Sequence, residues 1–171
     1  MTNGGESKRG TLVLPNQAIE EKVLFPYLKG FPKNLEVTVP NSKYRIKNIE
    51  IMSSIEHRHG VENYGFKINT KNHIIGLVTD TAYFPELLNS YNDCEILIIN
   101  VPYYVQDKPQ PKHLDISNVE EFIKAIKPKK VILTHFNCNI LNNNPKIIAE
   151  ELSRKYEIEV LVAEDDMRLE L

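Results

Sequence analysis

The sequence predicts an α/β fold with a mixed sheet and flanking helices. In the second half, continuous apolar runs such as Ile96–Ile99 and Val131–Leu133 alternate with segments whose apolar residues recur at helical spacing. That is the pattern of parallel strands covered by helices. In the first half, apolar and polar residues alternate over short stretches bounded by Pro, Asn and Gly, which points to antiparallel strands. The 171 residues are 42% hydrophobic and 26% charged, a balance that supports one folded core and excludes wholesale disorder.

Each element has a local reason. Residues 1–10 are polar and Gly-rich and read as a flexible tail. Thr11–Leu14 is a short apolar run that Pro15-Asn16 stops. Ala18–Leu28 is expected to be a short helix, broken by Pro26 and the Gly30–Pro32 stretch, since an interior proline lacks the N–H a helix needs. Leu35–Val39 alternates as a strand, with Pro40-Asn41 as its turn. Tyr44, Ile46, Ile49 and Ile51 predict another strand whose phase shifts near Lys47-Asn48. Tyr64–Ile68 and Ile74–Val78 follow, joined by the polar Asn69–Asn72.

Beyond them, Phe84, Leu87, Leu88 and Tyr91 lie on one helical face with Pro85 in the first turn. Val119, Phe122, Ile123 and Ile126 repeat that spacing. Ser117 and Glu120 are the expected capping box of this helix, and Pro128 its stop. Asn144-Pro145 opens a further helix carrying Ile148, Leu152 and Tyr156. Val160–Val162 and Met167–Leu171 are the expected closing strands.

Composition narrows the function classes. With 21 Lys and Arg against 23 Asp and Glu, the net charge is −2, too balanced for nucleic-acid capture by the whole surface. The two cysteines, Cys94 and Cys138, make no disulfide scaffold and suit a reduced, cytoplasmic setting. No apolar run approaches the roughly 20 residues of a membrane span, and the N-terminus has no apolar signal core. Gly-rich phosphate loops, G-x-S-x-G and C-x-x-C are absent from the sequence.

The chemistry gathers at strand ends, where ligands bind in open α/β sheets. Ile74–Thr79 runs into Asp80, Ile96–Ile99 into Asn100, Val131–Thr134 into His135, and Val160–Ala163 into Glu164-Asp165-Asp166. His57-Arg58-His59 precedes the Tyr64 strand. Imidazole and carboxylate are ligands that zinc, manganese and iron accept. Plainer readings stand beside this one. His57 and His59 share a strand face and suit a surface; His135 suits a structural histidine; Asp80 suits a cap for the following helix. His113 suits a solvated loop, and Cys138 an inert buried thiol.

Taken together, the ordered segments His59-Gly60-Val61-Glu62-Asn63-Tyr64-Gly65-Phe66-Lys67-Ile68, Val78-Thr79-Asp80-Thr81, His113 before an amphipathic helix, Val131–Phe136 and Ala163–Met167 carry a resemblance. From Gly10 to Leu171 the chain resembles the C-terminal part of metallo-β-lactamase-fold hydrolases, in particular the ribonuclease Z-like and phosphodiesterase branch. The resemblance implies an αββα sandwich, here a single, incomplete domain over residues 1–171. It implies His59, Asp80 and His135 as metal ligands, with Asp80 bridging two ions of zinc, manganese or iron. It implies catalytic roles for Asp80 and for His113, the latter beside the scissile phosphate. The implied activity is hydrolysis of a phosphodiester, RNA or nucleotide-like, by metal-bound hydroxide.

The sequence departs from the family in one large respect. Its histidines are His57, His59, His73, His113 and His135, and none forms the signature H-x-H-x-D-H. The chain is expected to begin just beyond that motif, with impaired activity. The alternative is a non-catalytic half that needs a partner, either a second copy as a homodimer or a separately encoded N-terminal half. Leu114-Asp115-Ile116 follows His113 where ribonuclease Z has glutamate, alanine and threonine, and Asp166 stands where the family has Gly before Met.

Overall fold

Three antiparallel pairings followed by three parallel ones organise the main sheet. The computed structural model describes residues 8–23, 30–106 and 112–170. Its strands are β1 (Thr11–Pro15), β2 (Asn34–Thr38), β3 (Lys43–Ile46), β4 (Ile49–Glu56), β5 (Tyr64–Asn69), β6 (Ile74–Val78), β7 (Ile96–Asn100), β8 (Lys130–Thr134) and β9 (Glu159–Val162). The helices are α1 (Asn16–Glu20), α2 (Ile116–Ile126), α3 (Cys138–Leu141) and α4 (Pro145–Tyr156), with a 3₁₀ helix at Pro85–Tyr91. β3 to β9 form one seven-stranded mixed sheet in sequence order, and β1 pairs with β2 separately.

Pairing is antiparallel from β3 through β6 and parallel from β6 through β9. Two antiparallel steps restore direction, so β4 points the same way as β6. Its C-terminal end therefore lies on the edge where β6, β7, β8 and β9 also end. That single edge is what the site is built on.

The core lies between the sheet and its helices. Leu97, Ile99, Val131, Leu133 and Val160 face Val119, Phe122 and Ile123 of α2 and Ile148 and Leu152 of α4. Burying each such side chain contributes roughly 1.5–3 kcal/mol. A second apolar row crosses the sheet in register: Phe66, Leu77, Ile98, Ile132 and Leu161. Alternation along the strands turns it away from that core, and none of its members belongs to the helix-side cluster.

The α/β class and most strands agree with the sequence. The differences have local causes. β1 and β2 pair in parallel, whereas the whole first half was expected to be antiparallel. The segment 43–56 is two strands, with Lys47 at positive φ in their turn. α1 starts at Asn16 and ends at Glu20, and residues 24–29 of the expected longer helix lie outside the described residues. The Phe84–Tyr91 segment is a 3₁₀ helix, a form suited to short pieces. Its tighter turn sets the Ser90 hydroxyl 3.1 Å from the Ile55 N–H while Tyr91 points inward.

The α2 cap is also displaced. Asp115 and Asn118, not Ser117 and Glu120, form the capping box, each side chain accepting from the other's backbone N–H. The helix thus starts earlier than Ser117, whose hydroxyl donates to Asp115 Oδ1. α3 was not expected, and its Asn137 side chain caps it. Met167–Glu170 is no strand. Asp166 sits at φ 60, a left-handed backbone that favours Gly. Most of the expected flexible tail, residues 1–7, lies outside the described residues, while Arg9 and Gly10 bond to the 31–34 backbone. Cys138, expected to be buried, is exposed, and Cys94 is buried, where burial pushes its thiol up to about 11. No helix among the described residues is long and apolar enough to cross a membrane.

Candidate metal centre

Asp80 is the hub of the shared edge. It follows β6 directly, and its side chain is 23% exposed. Asn100, the last residue of β7, donates from Nδ2 to Asp80 Oδ1 at 2.9 Å. Asn63 donates from Nδ2 to the Asp80 carbonyl at 3.1 Å. These bonds fix both the backbone and the carboxylate, so Asp80 does not cap the following helix, which starts from Phe84 without a side-chain cap.

Three histidines approach that carboxylate. His59 lies in the bend after β4, and His113 in the loop before α2. Ligand atoms of His59, Asp80 and His113 all lie within 4.8 Å of one another. The two imidazoles meet edge to face, with centroids 4.7 Å apart at 70°. Tyr103 also packs against His113, with centroids 5.9 Å apart. His135, just after β8, brings Nε2 to 3.4 Å from Asp80 Oδ1 and stays half-exposed. It lies outside the 4.8 Å group, so Asp80 stands between the His59–His113 pair and His135. His135 adopts φ 64, a left-handed backbone that a non-Gly residue takes at some cost.

All four residues singled out by the sequence therefore gather around one carboxylate. The donor set fits a divalent transition ion, because neutral imidazole and carboxylate oxygen are the ligands zinc, manganese and iron share. The 3.4 Å between Asp80 and His135 also suits two ligands of one tetrahedral ion. Bonds of about 2.0–2.1 Å at the tetrahedral angle put neighbouring donors roughly 3.3 Å apart.

Other sequence candidates lie elsewhere. Glu164 pairs with Lys146 at 2.6 Å on the surface, Asp165 and Asp166 are exposed, and His73 lies 3.6 Å from Glu95 at the opposite sheet edge. His57 does not share a face with His59. It is 2% exposed, and both its nitrogens have protein partners: Thr79 Oγ1 at 3.0 Å, and Tyr91 OH and the Gly65 N–H at 3.1 and 3.2 Å. Burial holds its pKa down at about 4, opposed by a hydrogen bond to the Asp80 backbone and by the Asp80 charge. The phenol of Tyr91, wholly buried, is pushed up by burial as well.

Sequence reasoning missed this inward histidine. A bulge between Ser53 and Glu56 shifts the β4 register, so alternation counted from Ile49 gives no guide to which way His57 points. Asn63 carried no signal of its own. Beside His59, a polar groove of about 440 Å³ is lined by Gln17, Glu56, Arg58 and Glu62 among others. Arg58 lies over the Phe84 ring, 4.0 Å from its centroid.

Comparison with known proteins agrees with this architecture. A family model described as beta-lactamase superfamily domain matches residues 17–136. The uncharacterized protein MJ1374 of Methanocaldococcus jannaschii is 25% identical over 178 residues, spanning 100% of this chain and 66% of that protein. The metallo-beta-lactamase fold protein YhfI of Bacillus subtilis superposes with a TM-score of 0.75 at 18% identity, over 94% of this chain and 65% of that one. The short form of human tRNase Z gives a TM-score of 0.63 at 16% identity, over 96% of this chain and 69% of that one. The chain thus spans just under two thirds of the length of MJ1374 and YhfI. With the family model covering most of its residues and the strand-end centre in place, the chain belongs to the beta-lactamase superfamily and has its metallo-β-lactamase fold.

Proposed function

We propose that this chain carries the ligand-bearing edge of a metal-dependent hydrolase that acts on phosphodiester bonds. The convergence of His59, His113 and His135 on Asp80 carries the reading. His59, Asp80 and His113 form the first donor set, and His135 joins through Asp80. A divalent ion held there by these residues would supply Lewis acidity toward a phosphoryl oxygen and a bound water.

The chain's own residues do the rest. Asn100 holds the Asp80 carboxylate through Oδ1, and Asn63 holds the Asp80 carbonyl. Tyr103 keeps the His113 ring in place. Arg58, lining the groove beside His59, offers a fixed positive charge to an anionic substrate. The tRNase Z likeness supports a phosphodiester as the bond attacked. Elemental analysis of the purified chain, followed by a screen with bis(4-nitrophenyl) phosphate, tests the reading. Stoichiometric zinc, manganese or iron with chelator-sensitive turnover supports it. A chain that takes up none of these metals overturns it.

A second reading is favoured by a separate observation. Leu35, Val37 and Val39 alternate onto one face and are 45%, 45% and 51% exposed. Exposed apolar clusters of this kind mark interaction surfaces. In this reading the chain is a half-molecule, completed by a homodimer partner or a separately encoded N-terminal half that brings further ligands. Light scattering discriminates the two. A stable monomer with full metal content supports the first reading, and a dimer or a metal-free chain rescued by a protein bearing H-x-H-x-D-H supports the second.

A further inference from the structure

We infer that His57 is a positioning residue, whose buried imidazole locks together the strand ends that carry His59 and Asp80. The inference rests on the reading of that centre as a metal site. Its ring protonation follows from its partners. The Gly65 backbone N–H, which can only donate, is shared between Ser54 Oγ at 2.9 Å and Nε2 at 3.2 Å, an arrangement that suits a bare Nε2. Nδ1 then carries the proton and donates to Thr79 Oγ1 at 3.0 Å. The Thr79 hydroxyl donates onward to the Tyr64 carbonyl at 3.1 Å. On the other side, Tyr91 OH lies 3.1 Å from Nε2 and 3.2 Å from the Leu77 carbonyl.

One ring thus joins the end of β4, the start of β5, the end of β6 and the 3₁₀ helix. Each bond lands beside a site residue. Thr79 precedes Asp80. Tyr64 follows Asn63, which holds the Asp80 carbonyl. His57 itself lies two residues before His59. The fold reserves space for the ring, because a Cβ on Gly65 would collide with the Tyr91 hydroxyl and come within 2.9 Å of His57 Cε1. A ring needed only to fill that space would be better apolar, since buried polar atoms cost desolvation. Outer partners of ligands typically tune metal affinity about 10–100-fold.

The test titrates the full chain with Co²⁺, whose visible bands report ligand geometry, beside thermal melts. His57→Phe keeps the ring and removes its polar atoms. His57→Asn keeps an amide N–H near the Nδ1 position. The expected result is a His57→Phe variant that melts close to wild type yet binds Co²⁺ about 10–100-fold more weakly, with altered bands. His57→Asn should recover most of the loss, and Thr79→Val should reproduce it. Wild-type affinity and bands in His57→Phe overturn the inference, as does an equal loss in His57→Asn. Should His57→Phe fail to fold, Thr79→Val decides, because it removes one hydroxyl and keeps the volume; unchanged affinity there overturns the inference. A wild-type chain that takes up no Co²⁺ overturns instead the metal reading beneath it.

Discussion

Asp80 and His135 face each other across the C-terminal edge of the sheet, Oδ1 3.4 Å from Nε2, although 54 residues of chain, 135 − 80 − 1, lie between them. That spacing suits two donors on one ion, and Asp80 also belongs to the His59–His113 group. Asp80→Asn keeps an oxygen acceptor for Asn100 and removes the charge. Metal affinity measured by equilibrium dialysis should fall by more than the roughly 100-fold that outer partners can cost. His113→Ala should lower it too. Full metal content in His113→Ala would instead restrict that residue to work on substrate.

Among the described glycines, Gly65 is the least tolerant of a methyl group. An added Cβ meets the Tyr91 hydroxyl, the Leu77 carbonyl and His57 together. Gly65→Ala should destabilise the chain by about 3 kcal/mol, the upper end of ordinary overpacking. Tyr91→Phe in the same chain should restore part of this, because it removes the hydroxyl but leaves the carbonyl. Urea titration of the single and double variants checks both statements.

His57 makes stability depend on pH in a defined window. Its folded pKa of about 4 lies below the ordinary 6.5, so between these values the unfolded chain binds more protons. Stability therefore rises with pH through that window and is lost as pH falls from 6.5 toward 4, by on the order of 3 kcal/mol. His57→Phe should flatten this part of the profile. Urea midpoints at pH 4.5, 5.5, 6.5 and 7.5 for both chains measure the difference.

The start of α2 has a single reciprocal cap. Asp115 accepts from the Asn118 N–H while Asn118 Oδ1 accepts from the Asp115 N–H, both at 3.1 Å. Asp115→Ala should cost about 1 kcal/mol. Ser117→Ala should cost less, since its hydroxyl bonds only to Asp115. Because His113 lies two residues before Asp115, the Asp115 variant should also weaken Co²⁺ binding, which the same titration detects.

Much of the scaffold was legible because its signals are local. Period-two alternation marked β2, short apolar runs marked β6, β7, β8 and β9, and Pro128 and Asn144-Pro145 marked helix ends. Some errors were also local, at places where two readings compete for one role, whereas the parallel pairing of β1 with β2 joins residues far apart in the chain. Asp115 and Asn118 outcompeted Ser117 and Glu120 for the α2 cap, and the Phe84–Tyr91 stripe serves a 3₁₀ turn as well as an α-helix.

The sequence by itself determined the α/β class, the strand ends on which chemistry collects, and His59, Asp80, His113 and His135 as the residues to watch. Only the tertiary structure decided that His113 joins His59 and Asp80 within one donor group, and that His57 turns inward to Tyr91 and Thr79. The reason is the range of the forces involved. Strand and helix patterns follow from burial along a few neighbouring residues. The meeting of His113 with His59, or of Asn100 with Asp80, depends on sheet order and crossover direction, which fix distances between residues far apart in the chain.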